Sequence, residues 1–355
     1  KGKVIIIEPL TILGRRQIFD TDVNLEIRPF AVSELRPEWF GAKGHDQLDD
    51  TQALLKTFSL ANKSINSLNI LVSVGQFKVS ETLEIQNDIK AIKSINILGE
   101  SRSTSGEKGS SFIWYGKNEG SILRIRNLNS SNIENLDFTS ETKFPVKHDV
   151  ELRAFTHNIN FENCSFSGAS GFKSANLNLN EGNGDQVSEI SFKACTFRSR
   201  NIGKGFETES GVIGGMSNVM NFYFEKCSFM GYKIGAIDIY NSSILSVENC
   251  TFAHNEVDIK CMLCSTYANS NFSEHSKAFF MAGVSSNVAF TSLINNYFTG
   301  ENKDGYVIRD GSGSLFLLNN NFGGNGYNDA FNNIKWEQNS FNQIYSLGNF
   351  FKNVP

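Results

Sequence analysis

A short pattern that recurs along this 355-residue chain constrains its fold more than any other feature. Each copy reads apolar-x-apolar-x-polar, then Cys or Asn, then one further residue and a Phe. The four clearest copies occupy residues 159–166, 190–197, 222–229 and 245–252. Asn-containing copies occupy 293–298, 315–322 and 334–341, a weaker copy occupies 133–138, and a degenerate copy ends at Phe272.

Each copy predicts a short strand, a corner and the start of the next strand, because its apolar residues alternate up to the corner. Successive copies lie roughly 19 to 32 residues apart, a spacing typical of a parallel β-solenoid. Stacked coils place equivalent residues about 4.8 Å apart, so the corner position is expected to form a ladder. Its predicted members are Leu136, Cys164, Cys195, Cys227, Cys250, Asn296, Asn320 and Asn339. The Phe positions are expected to form an internal aromatic stack, which explains 30 Phe against 3 Trp.

The residues before the repeats differ in character. Residues 1–35 are predicted to form an N-terminal strand segment, and residues 36–355 a single solenoid domain. Asp49, with Gln52 three residues later, resembles a capping box that starts a short amphipathic helix ending near Asn62. Because the open end of a solenoid is an exposed sheet edge, this helix is expected to cap it.

The charge and the apolar content argue against several kinds of partner. Lys and Arg total 33 against 37 Asp and Glu, so no basic excess exists to bind phosphates, and no nucleic-acid partner is expected. No apolar stretch approaches the roughly 18 residues of a membrane span, so no membrane partner is expected. Cys261 and Cys264 are interpreted as buried small residues, because a structural zinc site needs a second pair of ligands. The start at Lys1 is interpreted as that of a fragment or a processed product.

Two segments at the start of the solenoid carry a family resemblance. Residues 40–44 (Phe-Gly-Ala-Lys-Gly) and 49–54 (Asp-Asp-Thr-Gln-Ala-Leu) resemble the N-terminal signature of the pectate-lyase superfamily, in its tailspike-like and polygalacturonase-like branch. Residues 74–77 and 95–100 fall where that family has its first two coils. The resemblance implies an all-β fold, a single-stranded right-handed parallel β-helix of about ten coils with a short N-terminal capping helix. Asp49 and Asp50 of the signature are interpreted as structural, in the cap and the turn.

The same resemblance implies a function class. Proteins of this family mostly bind or cleave acidic or complex polysaccharides, and they occur as secreted bacterial enzymes and as trimeric phage tailspikes. We therefore expect an extracellular protein (secreted, at a cell surface or on a phage virion) with a polysaccharide substrate, and a homotrimer by analogy with tailspikes. The catalytic motifs of polygalacturonases (Asn-Thr-Asp, Gly-His-Gly and Arg-x-Lys) are absent, so that chemistry is not carried over.

A row of acidic residues is the candidate catalytic site. Aligning residues 236–240 with 256–260 turns Asp238 and Asp258 outward on adjacent coils, and the coil before offers Glu207 and Glu209. Carboxylates on adjacent coils would lie about 5 Å apart and those on alternate coils roughly 9–10 Å apart, which covers both glycosidase geometries. The predicted reaction is glycoside hydrolysis without a cofactor or metal. Residues predicted to bind substrate from the same face are Tyr240, Lys260, Arg309, Asn180 and Arg153.

Two alternatives stay open at this stage. One is a polysaccharide lyase that cleaves a uronate-containing polymer by β-elimination, with Lys260, Arg309 or Tyr240 as the base and calcium held by Asp238 and Asp258. The other is a carbohydrate-binding or adhesion module without catalysis, in which exposed aromatic residues stack on sugars. Tyr232, Tyr240, Tyr306 and Tyr327 are the aromatic residues that this alternative uses.

Overall fold

The computed structural model describes most of the chain. The described residues are 3–7, 12, 14, 16–28, 31–45, 48–87, 93–103, 108–141, 144, 146–179, 186–200, 208–214, 219–239, 244–261, 265–273, 278–281, 290–298, 306–309, 314–322 and 343–351.

Three parallel sheets wind around one another along the described chain, and every strand pairing is parallel. Sheet 1 has twelve strands: Glu34–Leu35, Leu68–Val72, Ile95–Gly99, Asn129–Glu134, Phe155–Glu162, Gln186–Lys193, Val219–Glu225, Leu245–Glu248, Ser265–Ala268, Phe290–Ile294, Ser314–Leu318 and Gln343–Leu347. Sheet 2 has eleven: Gly75–Val79, Ser110–Trp114, Leu136–Ser140, Ser165–Phe166, Thr196–Arg198, Ser228–Met230, Thr251–Ala253, Asn271–Ser273, Tyr297–Phe298, Asn321–Phe322 and Phe350–Phe351. Sheet 3 has nine: Leu83–Gln86, Ser121–Arg126, His148–Arg153, Gly171–Leu179, Thr208–Gly214, Gly235–Ile239, Val257–Cys261, Ala278–Met281 and Tyr306–Arg309.

The chain visits the sheets in the order 1, 2, 3, and one such circuit is a coil. Coil 1 starts at Leu68, and the described residues contain nine complete coils and parts of two more. Crossovers between parallel strands are right-handed in about 98% of cases, because right-twisted strands pack back onto the sheet only that way. The fold is a right-handed parallel β-helix, and the prediction of about ten coils is confirmed. A separate parallel pair, Lys3–Ile6 with Asn24–Ile27, precedes the coils.

The one α-helix among the described residues, Thr51–Lys63, packs Leu54, Phe58 and Ala61 against the start of the β-helix core. The predicted capping box is wrong, because the helix begins at Thr51 and its N-cap is Asp50. Asp49 instead accepts a hydrogen bond from the backbone N–H of Thr51 at 2.9 Å. No helix in the described parts of the chain has both the length and the apolar character needed to span a bilayer.

Two residues beside this helix hold its ends in place. Asp50 accepts hydrogen bonds from the backbone N–H groups of Lys43 (2.8 Å) and Gly44 (3.2 Å), so it fixes the turn of the family signature. Lys93 is buried, and its ammonium group donates to the carbonyls of Ala61, Asn62 and Ser64 at 2.6–3.2 Å. A cation at this end of a helix satisfies carbonyls that lack a partner within the helix and complements the helix dipole.

The corner between sheets 1 and 2 repeats with almost no variation. The residue before the ladder position has a left-handed φ of 51–56° in eight consecutive coils, and six of these eight residues are Asn. Asn is among the few residues that tolerate this conformation, which explains part of the Asn content. These residues are Asn135, Asn163, Ala194, Lys226, Asn249, Asn269, Asn295 and Asn319.

The ladder position makes the same hydrogen bond whether it is Cys or Asn. The thiol of Cys250 donates to the carbonyl of Phe224 on the preceding coil (3.5 Å), and the amide of Asn320 donates likewise to Leu293 (2.7 Å). The register places Ser270 at this position in the degenerate copy that ends at Phe272, and Asn349 occupies it in the last described coil. The predicted copy at 334–341 and its Asn339 lie outside the described residues.

The predicted Phe stack is present along sheet 2. From Phe138 to Phe322, successive ring centroids lie 4.7–5.4 Å apart and the rings are nearly parallel. A second stack from sheet 1, Phe161–Phe192–Phe224, packs against it edge to face, with centroids 4.9 Å apart within the stack. Stacked and edge-to-face pairs add about 0.5–1.5 kcal/mol each beyond the apolar area that they bury. The Phe residues are therefore core, as expected.

Candidate functional site

The outer side of sheet 3 carries a row of register-matched residues, one from each of nine coils. Inward residues such as Leu123, Val150 and Leu177 fill the core, so the residues between them face outward. We call the register-matched positions the outward row: Glu84, Arg124, Glu151, Asn178, Ile213, Asp238 and Lys260, continued by backbone register alone to Met281 and Arg309. At about 4.8 Å per strand the row is about 38 Å long, long enough for contacts with several sugar units.

Ion pairs join the first three coils of the outward row. The guanidinium of Arg124 lies between two carboxylates, 2.7 Å from Glu151 and 3.7 Å from Glu84. Arg126 and Arg153, two positions further along their strands, extend the cluster with contacts of 3.2 Å to Glu84 and 3.1 Å to Glu151. Three arginines face two glutamates, so this end of the row carries a net positive charge.

Glu151 is the most enclosed member of this cluster, with only 3% of the residue exposed. Burial alone would raise the pKa of Glu151, but the nearby His148, Arg124 and Arg153 outweigh it, and the pKa is lowered. The carboxylate is therefore ionised and fixed in place by its cationic neighbours. Arg153, predicted from the sequence to bind substrate, lies at the edge of this cluster and is half-buried.

Further along the row, Asp238 pairs with Lys260, with 3.7 Å between the carboxylate and the ammonium group. The sequence alignment that placed Asp238 opposite Asp258 is wrong by two residues, because the register pairs Asp238 with Lys260 and Ile237 with Ile259. The alternating Ile-Asp-Ile and Val-Asp-Ile segments look equivalent, but alternation does not reveal the length of the preceding corner. Asp238 and Lys260, predicted for catalysis and binding, are thus brought together as a partly exposed ion pair.

Asp258 lies outside the outward row. The residue is fully buried, and its carboxyl accepts a hydrogen bond from Asn255 at 2.9 Å. Burial raises the pKa of Asp258 well above its ordinary value. A catalytic role for it stays a prediction, and Tyr232, one of the tyrosines proposed for stacking on sugars, is also fully buried.

The other predicted site residues are placed only in part. Glu209 is half-buried near the start of the strand Thr208–Gly214, four residues before the row position of that strand. Arg309 occupies the row by register next to Met281. Glu207, Tyr240 and Asn180 lie outside the described residues, so their roles stay predictions.

Carboxylate spacing along the described row does not match a hydrolase pair. Glu151 and Asp238 are three strands apart, about 14 Å at the ordinary strand spacing. Inverting glycosidases place their carboxyl groups about 6.5–9.5 Å apart, and retaining ones about 5–5.5 Å. Among the described residues, no three His, Cys, Asp or Glu side chains are grouped to hold a metal ion. The calcium predicted for a lyase stays untested.

Known protein families and curated sequences give no match to this chain. Solved structures do match. The tailspike protein of Acinetobacter baumannii phage AM24 matches with a TM-score of 0.54 and 11% identity, over 90% of this chain and 54% of that chain. The chain has the fold of a tailspike β-helix. The enzymatically active domain of tailspike protein 2 from bacteriophage CBA120 gives a TM-score of 0.52 and 10% identity, over 81% of this chain and 47% of that chain. An alginate lyase from Paenibacillus sp. str. FPU-7 gives a TM-score of 0.49 and 12% identity, over 84% of this chain and 97% of that chain.

This tailspike-like chain spans about half the length of the two tailspike structures. Sequence reasoning missed three members of its most charged cluster, Glu84, Arg124 and Arg126. Each lies in a strand, Leu83–Gln86 or Ser121–Arg126, in which polar or charged residues alternate with Leu or Ile over at least four positions. That alternation was a usable signal, but both strands precede the repeats from which the row was drawn.

Proposed function

We propose that this protein binds and depolymerises a bacterial surface or extracellular polysaccharide along the outward row of sheet 3. The observation that carries the proposal is the row itself, since nine register-matched positions run parallel to the β-helix axis and include charged groups at both ends. Row positions recur about every 4.8 Å along the axis. A linear polymer laid there would meet the partly exposed side chains of Glu84, Arg124 and Lys260, while Glu151 and Asn178 are buried between them. The tailspike fold and the enzymatically active CBA120 neighbour support a virion or secreted protein that acts on such a polymer.

Glycoside hydrolysis is the reaction we assign, with Asp238 as the reacting carboxylate. Among the acids that the sequence predicted to be catalytic, Asp238 is the one that the described structure places in the row, where it pairs with Lys260. Lys260 opposes its charge and would orient it toward the sugar. The second carboxylate is assigned to Glu207, which lies outside the described residues. Glu209 lies beside Ile234, four residues or about 13 Å along the strand from Asp238, too far for either hydrolase geometry. Arg153, Arg309, Asn180 and Tyr240 contact the polymer in this proposal. A homotrimer and an extracellular location belong to the same proposal.

A lyase is the second candidate, because three arginines face only two glutamates in coils 1–3. The net positive charge of this cluster can help to neutralise the carboxylate of a uronate, as β-elimination requires. In that case the arginine end of the row, rather than Asp238, would hold the sugar that reacts.

The test is a panel of neutral and acidic polysaccharides incubated with the protein, with Asp238→Asn and with Asp137→Asn. Asp137 lies on sheet 2, so its variant controls for the loss of one aspartate elsewhere on the coils. New reducing ends without ultraviolet-absorbing products, lost only in Asp238→Asn, support hydrolysis. Reducing ends with unsaturated, absorbing products support the lyase. Binding without either product indicates a binding module, and a panel that is neither bound nor cut contradicts the proposal.

A further inference from the structure

A chain of buried polar side chains links coils 3 to 7 beside the outward row. Its five members are Asp149, Asn176, Tyr232, Asn255 and Asp258, each 0–1% exposed. Tyr232 donates its hydroxyl to the carbonyl oxygen of Asn176, and Asn176 donates its amide to Asp149 at 2.8 Å. The backbone N–H of Tyr232 donates to Asn255 at 2.9 Å, and Asn255 donates to Asp258 at 2.9 Å. A carboxyl group therefore ends the chain on each side.

Asp149 is fully buried, and its two carboxyl oxygens have different surroundings. Its Oδ2 accepts from Asn176 and from the backbone N–H of Gly168 at 3.1 Å. Its Oδ1 is buried and has no hydrogen-bond partner among the described residues. A Cβ at position 168 would come within 2.5 Å of this Oδ1, so glycine is the residue that lets the carboxyl sit there. An ionised carboxylate with one unpartnered oxygen in such a place is costly, whereas a neutral carboxyl is tolerated.

One cation faces Asp149 from outside the polar chain. Arg200 donates to the hydroxyl of Ser140 and lies 3.5 Å from the carbonyl of Gly168, and it is close enough to interact with Asp149 through its charge. Asn176 lies between Tyr232 and Asp149 and is hydrogen-bonded to both. Burial raises the pKa of Tyr232, and the positive charge of Arg198 opposes this rise. No direct hydrogen bond between Arg200 and the carboxyl is found among the described contacts, so the guanidinium offsets the burial only in part.

We propose that Asp149 is a built-in pH switch for stability, whose neutral carboxyl locks coils 3 to 6 together and whose ionised carboxylate loosens them. Burial raises the pKa of Asp149 from 3.8 to about 7, against the smaller opposing effects of Asn176, Gly168, Ala169 and Arg200. The folded protein thus holds this proton more tightly than the unfolded chain does. Its stabilising effect is complete below about pH 4 and declines as the pH rises to about 7. The switch is independent of any reaction on sheet 3.

The test is the melting temperature of the full chain from pH 5 to pH 9, compared with that of Asp149→Asn. An asparagine imitates the neutral carboxyl, because its oxygen can accept from Asn176 and Gly168 while its amide replaces Oδ1. We expect the melting temperature of the variant, relative to that of the unsubstituted protein, to rise by about 3–5 °C between pH 5 and pH 8 and to change little above pH 8. Arg200 stabilises the ionised form of Asp149 and so lowers its pKa. In Arg200→Gln, the decline of melting temperature with pH should therefore occur at a higher pH than in the unsubstituted protein. A shift to a lower pH would contradict this role of Arg200.

Two controls separate the switch from ordinary packing. Tyr232→Phe removes the hydroxyl but keeps the ring, and it should lower the melting temperature equally at pH 5 and pH 8. The infrared carbonyl band of a carboxylic acid should be present at pH 6, fade by pH 9 and be weaker in Asp149→Asn. A loss of stability in Asp149→Asn that is the same at every pH, or an acid band unchanged by this substitution, would overturn the proposal.

Discussion

Lys260 lies directly across from Asp238 in sheet 3, with its ammonium group 3.7 Å from the carboxylate, while Asp258 is two residues away from that register position and fully buried. Two aspartates that look equivalent in sequence therefore have opposite environments. One is ion-paired and keeps a small exposed fraction, and the other is fully buried, with its pKa raised by burial.

The Asp238–Lys260 pair should stabilise the fold measurably. Lys260→Met is expected to lower the free energy of unfolding by about 1–2 kcal/mol, because it leaves the mostly buried Asp238 without its cation, although partial exposure screens the pair. Urea unfolding measures this difference. Lys226→Met is the matched control, since Lys226 pairs with Glu225 at 3.0 Å but both side chains are largely exposed. A loss in the control as large as that in Lys260→Met would contradict the assignment.

Glu151 should make stability depend on pH in the opposite direction to Asp149. Its pKa is lowered in the folded protein, so its contribution is present above its ordinary value of 4.5 and is lost as the pH falls through the lower folded value. Glu151→Gln should therefore cost about 2–4 kcal/mol at pH 7 and progressively less toward pH 3. Thermal unfolding across this range provides the measurement, and a constant difference at all pH values would count against the ion-pair network.

The aromatic stack should be the most sensitive part of the core. Phe197 stacks on Phe166 and on Phe229, each at 4.7 Å, and is fully buried. Phe197→Ala should reduce the free energy of unfolding by about 3–5 kcal/mol through the lost contacts and the resulting cavity. Phe290→Ala, at a residue that is 42% exposed, should cost less than about 1 kcal/mol. An equal loss of unfolding free energy in the two variants would contradict the prediction that the stacked rings stabilise the core more than exposed rings do.

The corner ladder should tolerate loss of a thiol better than loss of an amide. Asn320 donates to Leu293 and to Asn349, and its Oδ1 accepts from the backbone N–H of Asn296 at 3.0 Å. Asn320→Ala leaves these buried groups unpaired and should cost about 2–4 kcal/mol. Cys195→Ala removes only a weak donor and a small volume and should cost about 1 kcal/mol. Chemical denaturation of both variants gives the comparison, and a costlier Cys195→Ala would contradict it.

Much of the fold could be predicted from the repeat alone. Each Cys-x-Phe or Asn-x-Phe unit marks one corner and one inward ring, so the ladder and the stack followed directly from Cys164 to Asn320. The final described coil was missed although Asn349-Phe350-Phe351 fits the Asn-x-Phe unit, because Ser346 replaces the second apolar residue and Gly348 the polar one. Gly348 has the left-handed φ of 67° that the corner needs. The helix start was missed by one residue because Asp49 and Asp50 are equally good caps by type.

The candidate site was less predictable, since its position depends on the register between coils. Corner length decides which outward residues meet, and the alternating patterns around Asp238 and Asp258 carry no information about it. Burial was equally hidden, because Asp149 is enclosed by residues distant in sequence such as Asn176, and Asn255, the near neighbour of Asp258, is itself held by Tyr232 of the preceding coil. Those contacts exist only after the coils have stacked.

The interchangeable corner has a consequence for how such chains can change in length. Since Cys250, Ser270 and Asn296 occupy one position and each receives a backbone N–H from the coil before, any coil can dock on any other. Whole coils can therefore be duplicated or removed while their neighbours keep every ladder contact. A single-residue insertion in a corner, by contrast, would turn the side chains of one strand inside out and break the outward row at that point. Divergence in such a lineage should proceed in steps of complete turns.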